Sequence, residues 1–182
     1  MNTLLLVLLT FPLAYGTDPA SQVNRVLEQL KNPKHEAVQE TFILTQDEVN
    51  AWASVTMGSK KRLGVQSLVL DLRDGGQFQA KTRINMDEVE LEDLGIQLFQ
   101  ALLSGDQEFI VAGKLTCSEG RGTATVQQAH INDVAIPAFL VDAVIRYLTQ
   151  NQPPHVDLTK PFELPFGIQD IRIVEGRMII SR

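Results

Sequence analysis

The stretch "VQSLVLDLRDGGQFQAKTRINM", residues 65–86, decides the fold class, because its apolar residues recur every second position and Asp74-Gly75-Gly76 breaks it in the middle. In the second half Phe78, Ala80, Thr82, Ile84 and Met86 alternate with Gln77, Gln79, Lys81, Arg83 and Asn85. Side chains of a strand point alternately to opposite faces, so this pattern predicts a hairpin with one buried and one wet face.

The same signature returns downstream. "QEFIVAGKLTCSEGRGTATVQQAHI", residues 107–131, predicts a second hairpin that turns at Glu119-Gly120-Arg121-Gly122, with Phe109, Val111, Leu115 and Cys117 on one face. Each hairpin is followed by an apolar helical pattern: "LEDLGIQLFQALLSG" carries Leu91, Leu94, Leu98 and Leu102 at helical spacing before Gly105, and "IPAFLVDAVIRYLTQ" runs from Ile136 to Gln150. Two hairpin-plus-helix units therefore occupy 65–104 and 107–150. A closing hairpin, 168–182, turns at Glu175-Gly176.

Ahead of these, "DPASQVNRVLEQLK" spaces Val23, Val26, Leu27 and Leu30 as one face of a helix that Lys31 and Asn32-Pro33 terminate. In "FILTQDEVNAWASV" a short strand over Phe42 to Leu44 gives way to a helix from Gln46 to near Gly58. Thr45 and Glu48 form a capping box: the threonine hydroxyl accepts from the Glu48 amide, and the glutamate reaches back to the Thr45 amide. The proline-punctuated segment 151–168 is restricted to irregular or edge strand. About six strands and four helices follow, an α+β domain over 17–182 with a largely antiparallel sheet.

The opening "MNTLLLVLLTFPLAYG" has an apolar run from Leu4 to Leu13 with small residues Ala14 and Gly16 behind it, the pattern of a signal peptide over 1–16. That predicts export and a periplasmic or extracellular protein cleaved near Gly16. The run is shorter than the roughly 18 apolar residues of a membrane span.

The formal charge of −6 excludes a general nucleic-acid binder, which needs a clustered basic surface. The single cysteine, Cys117, cannot form an internal disulfide, and its place on an apolar strand face is that of a small hydrophobe. His35, His130 and His155 lie in separate segments with no second ligand at metal spacing, so neither a metal nor a cofactor is expected. The carboxylates Asp87, Glu88, Glu90, Glu92 and Asp93 lack the glycine of a calcium loop and sit at a helix start, where its positive end favours them. Lys60 to Arg62 follow a helix, where cations suit the dipole, and offer at most transient contact with a membrane surface. Trp52 reads as a core anchor. No nucleophile elbow or phosphate loop occurs, so a non-enzymatic protein is expected.

On the Ile136–Gln150 helix only Asp142, Arg146 and Thr149 form a polar stripe, leaving an apolar arc of about 200° against the roughly 100° that one core contact needs. Such a helix has to be wrapped. The motifs "FILTQDEVNAW", "IPAFLVDAVIRYLTQNQPPHVDL" and "GIQDIRIVEGRMIIS" resemble those of small exported bacterial proteins of the tubular lipid-binding superfamily, closest to its YceB-like and LmeA-like single-domain members. The resemblance implies a helix-grip fold, a curved sheet wrapping one or two apolar helices. It also implies a lipid or acyl chain held between sheet and helix, lined by Phe78, Ile84, Leu98, Leu102, Leu140, Val144, Tyr147 and Leu148. The alternative from the residues is that these side chains form a closed core, as in an envelope scaffold or interaction domain.

Overall fold

A computed structural model describes residues 19–32, 39–58, 64–88, 104–137, 141 and 160–182. Helix α1 (Ala20–Lys31) buries Val23, Val26, Leu27 and Leu30, the face that its spacing predicts. At its end the Asn32 amide donates to the Glu28 carbonyl at 3.0 Å, and the Arg182 guanidinium donates to the carbonyls of Gln29 and Leu30, each at 3.4 Å. A cation thus supplies donors where the last turn leaves carbonyls unpaired.

Strand β1 (Thr41–Thr45) runs directly into α2 (Gln46–Gly58) through the expected capping box. The Glu48 amide donates to Thr45 Oγ1 at 3.2 Å, and the Thr45 amide donates to the Glu48 carboxylate at 2.7 Å. The hairpin of β2 (Val65–Arg73) and β3 (Gln77–Asn85) follows, closed by the turn Asp74–Gly76. Gly76 has φ +81, and a Cβ there would strike the Leu115 carbonyl oxygen, so both its backbone and its space demand glycine.

Strands β4 (Asp106–Ser118) and β5 (Arg121–Ile131) form the second hairpin. Its turn is tighter than the sequence suggests: only Glu119 (φ 51) and Gly120 (φ 74) are outside the strands, and both have the positive φ of a two-residue turn matched to strand twist. Arg121 and Gly122 instead begin β5. The register between β4 and β5 shifts at Ala112/Gly113, where Gly113 pairs with Val126 and Ala112 with Gln128, leaving Gln127 as an extra residue. This bulge returns Ala129 and Ile131 to the same face as Ala124 and Val126, although their numbers change parity.

Two further edge strands, β6 (Val134–Ala135) and β7 (Phe162–Glu163), pair with opposite ends of β5. The result is an open six-stranded antiparallel sheet in the order β2-β3-β4-β5-β6, with β7 also on β5. A second, three-stranded sheet is made by β1 with the closing hairpin β8 (Asp170–Val174) and β9 (Arg177–Ser181), in the order β1-β9-β8. The sequence pattern shows the closing hairpin but not that β1 joins it, because the Thr41 to Ser181 pairing spans nearly the whole chain.

Strand β8 lies against β2, β3, β4 and the turn at Asp74–Gly76, so the small sheet covers the turn end of the large one. Helix α2 runs beside β2, and α1 packs on α2. One continuous core joins Leu27, Leu30, Trp52, Leu70, Leu72, Phe78, Ile84, Phe109, Ile168, Ile171 and Met178. Each large side chain buried there contributes about 1.5–3 kcal/mol. Of the four expected helices, two are therefore present among the described residues. Those expected at 91–105 and 136–150 lie largely outside them, although Val141 is helical and 2% exposed. The expected signal segment 1–16 also lies outside.

Candidate apolar ligand site

The cross-strand register arranges the inner face of the large sheet as rows. From one end they read Val65 with Ile84; Leu68, Thr82, Phe109 and Ile131; Leu70, Ala80, Val111 and Ala129; Leu72, Phe78, Gly113 and Val126; and then Leu115 with Ala124. Period-two patterning puts Phe78, Ala80, Thr82 and Ile84 on this face, and Met86 is buried just beyond it. The opposite face is wet and carries ion pairs such as Lys81 with Glu108 at 2.8 Å.

Side-chain size varies along the rows. Phe78 is 5% exposed and Ile84 is 3% exposed, at opposite ends of β3 and roughly 20 Å apart along the strand. Between them the floor is built of small residues: half-buried Ala80 and Thr82 on β3, half-buried Val111 on β4 and buried Ala129 on β5. The Thr82 hydroxyl donates to the Ser67 carbonyl at 2.7 Å, so its polar atom is engaged by the sheet itself. This face therefore carries small side chains at its centre, among the larger Leu68, Leu70, Phe109 and Ile131 of the same rows. Ala129 and Ile131 belong to it only because of the bulge at Gln127, which no residue pattern announces.

Of the expected lining residues, the structure thus places Phe78 and Ile84 on one face, at opposite ends of β3. Leu98, Leu102, Leu140, Val144, Tyr147 and Leu148 lie outside the described residues. Ala80, Val111 and Ala129 were not expected to form the floor; alternation with small side chains on the buried face marks Ala80 and Val111, whereas the bulge hides Ala129 from any such pattern.

The polar groups near this face are committed to structure. Burial pushes the Cys117 thiol from 9.0 up to about 11; the Ile171 backbone amide facing it works the other way, and nearby Asp170 adds to the rise. A thiol so held is a poor nucleophile at neutral pH. Trp52 is 2% exposed and donates its indole N–H to Asn24 Oδ1 at 2.9 Å, the anchoring role expected of it. His130 stands on the wet face of β5, paired across the sheet with Ile110 and Ala135.

Asp87 Oδ1 accepts from the Gly105 amide at 3.0 Å, tying the two ends of the 88–104 connection. Glu90, Glu92, Asp93, His35, His155 and Lys60 to Arg62 lie outside the described residues. Among the described residues no group of three metal-capable side chains converges, and no helix is long and apolar enough to cross a membrane. Compared with known proteins, the chain matches no family model, no curated protein and no solved structure.

Proposed function

We propose that this is an exported, non-enzymatic protein that holds a lipid or acyl chain between the inner face of its large sheet and the 136–150 helix, and carries it within the cell envelope. The observation that supports this reading most is the floor of Ala80, Thr82, Val111 and Ala129, small side chains set between Phe78 and Ile84 on an apolar sheet face. On this reading the floor is the bottom of a shallow apolar trough, and apolar concave spaces with few polar groups suit an acyl chain. The wide apolar arc expected from the sequence of 136–150 is the kind of face that an opposing wall in a helix-grip arrangement needs. The apolar leader 1–16 supports export.

A closed-core scaffold is the competing reading, favoured by the membership of Phe78 and Ile84 in the same continuous core as α1, α2 and the small sheet. Native mass spectrometry of protein purified gently from lipid-containing extract separates the two. A lipid-mass adduct is expected on the wild type and its loss on Val111→Trp, which fills the trough. Bare protein in every preparation would sink the lipid reading in favour of the scaffold. N-terminal sequencing of the exported fraction tests cleavage near Gly16.

A further inference from the structure

We propose that β1 is a docking edge for a second copy of this chain, pairing two β1 strands antiparallel about a two-fold axis at Ile43. The phase of the ladder sets which groups are available. Glu40 and Arg182 exchange backbone bonds at 3.1 and 2.9 Å, so Phe42 and Leu44 are the next residues to bond towards β9. The N–H and C=O of Thr41 and Ile43 therefore turn to the open side, while the Thr45 amide is taken by Glu48 at 2.7 Å. Among the described residues no strand pairs with that side of β1, and Ile43 is 53% exposed. The strand has none of the usual edge protection: "TFILT" contains no charge and no proline, and its register to β9 has no bulge.

The pattern of the strand selects its occupant. Thr41-Phe42-Ile43-Leu44-Thr45 reads the same by residue class in both directions, so a two-fold pairing sets Ile43 against itself and Thr41 against Thr45 of the other copy. On the outer face this joins Ile43 and Ile179 of both copies into one apolar row. The charges comply. Glu40 falls opposite uncharged Gln46, and the strand end that carries Arg182 comes beside the end that carries Asp47 and Glu48.

Five residues per copy bury less than the roughly 1,200 Å² of a stable interface, so the dimer is weak and concentration-dependent. Assembly stops at two because the opposite edge, β8, is turned to the large sheet, with the Ile171 amide on Cys117.

Sedimentation equilibrium of the full chain over a wide concentration range tests this. The wild type is expected to dimerise reversibly, and I43K and I43E each to weaken dimerisation at least about tenfold by opposing like charges. A mixture of I43K with I43E is expected to regain it. Circular dichroism checks that both variants are folded, which the exposure of Ile43 favours. A wild type that stays monomeric, an I43K variant that dimerises like it, or a mixture no better than its components overturns the proposal.

Discussion

The carboxamide of Asn50 pairs with the backbone of Leu70 as a neighbouring strand would, donating to its carbonyl at 2.9 Å and accepting from its amide at 2.7 Å. The edge of β2 is finished in the same manner one pair further on, where the Leu72 amide donates to Gln46 Oε1 at 2.7 Å and the Leu72 carbonyl accepts from the Gly176 amide at 2.9 Å. Side chains of α2 and the turn of the small sheet thus stand in for a missing strand and close the edge against further pairing.

Asn50→Ala removes both partners of Leu70 in a part-buried setting, and each backbone group left unmade costs about 1–3 kcal/mol. A loss of about 2–4 kcal/mol in urea unfolding is expected. Asn50→Asp keeps the acceptor and loses the donor, so it falls between wild type and alanine. Equal losses for the two variants would show that the bond from the Leu70 amide contributes nothing.

Trp52 and Asn24 couple the two helices through the 2.9 Å indole bond. W52F and N24A are each expected to cost about 1–3 kcal/mol, and the double variant less than their sum by about 1 kcal/mol. Strict additivity in a double-mutant cycle would remove the bond from the account.

What was legible in the sequence was local. The hairpin at Asp74–Gly76 is written in alternation and glycine, the α1 face in the spacing of Val23 to Leu30, and the α2 start in a threonine and glutamate three residues apart. What was not legible is the pairing of distant backbone. Nothing near Thr41 points to Ser181, and nothing near Asn50 marks its side chain as the partner of Leu70. The candidate site divides in the same way. Phe78 and Ile84 follow from period two, whereas Ala129 joins the floor through a bulge that shifts the parity of β5.

Gly122 lies beneath the ring of Phe162, its direct partner on β7, and an added Cβ would overlap that ring. An aromatic ring covering a cross-strand glycine holds the short β7 to its neighbour. G122A is expected to cost about 1–3 kcal/mol by overpacking. Combined with F162A, the same alanine should cost little, since the ring it displaces is gone. A full penalty in the F162A background would place the strain in the β5 backbone instead.

Cys117 provides a pH signature. Its thiol is held up at about 11, against 9.0 without the fold, chiefly by burial. The folded chain therefore keeps a proton that the unfolded chain releases between about pH 9 and pH 11. Stability is fully present below that window and falls as pH rises through it. Iodoacetamide should alkylate the native protein slowly at pH 8 and at a much higher rate only as pH approaches 11, whereas the urea-unfolded chain reacts with a midpoint near 9. C117A should flatten the slope of stability against pH across the same interval. An alkylation midpoint near 9 in the native protein would show that the thiol is solvated, and that β8 does not cover the turn end of β4.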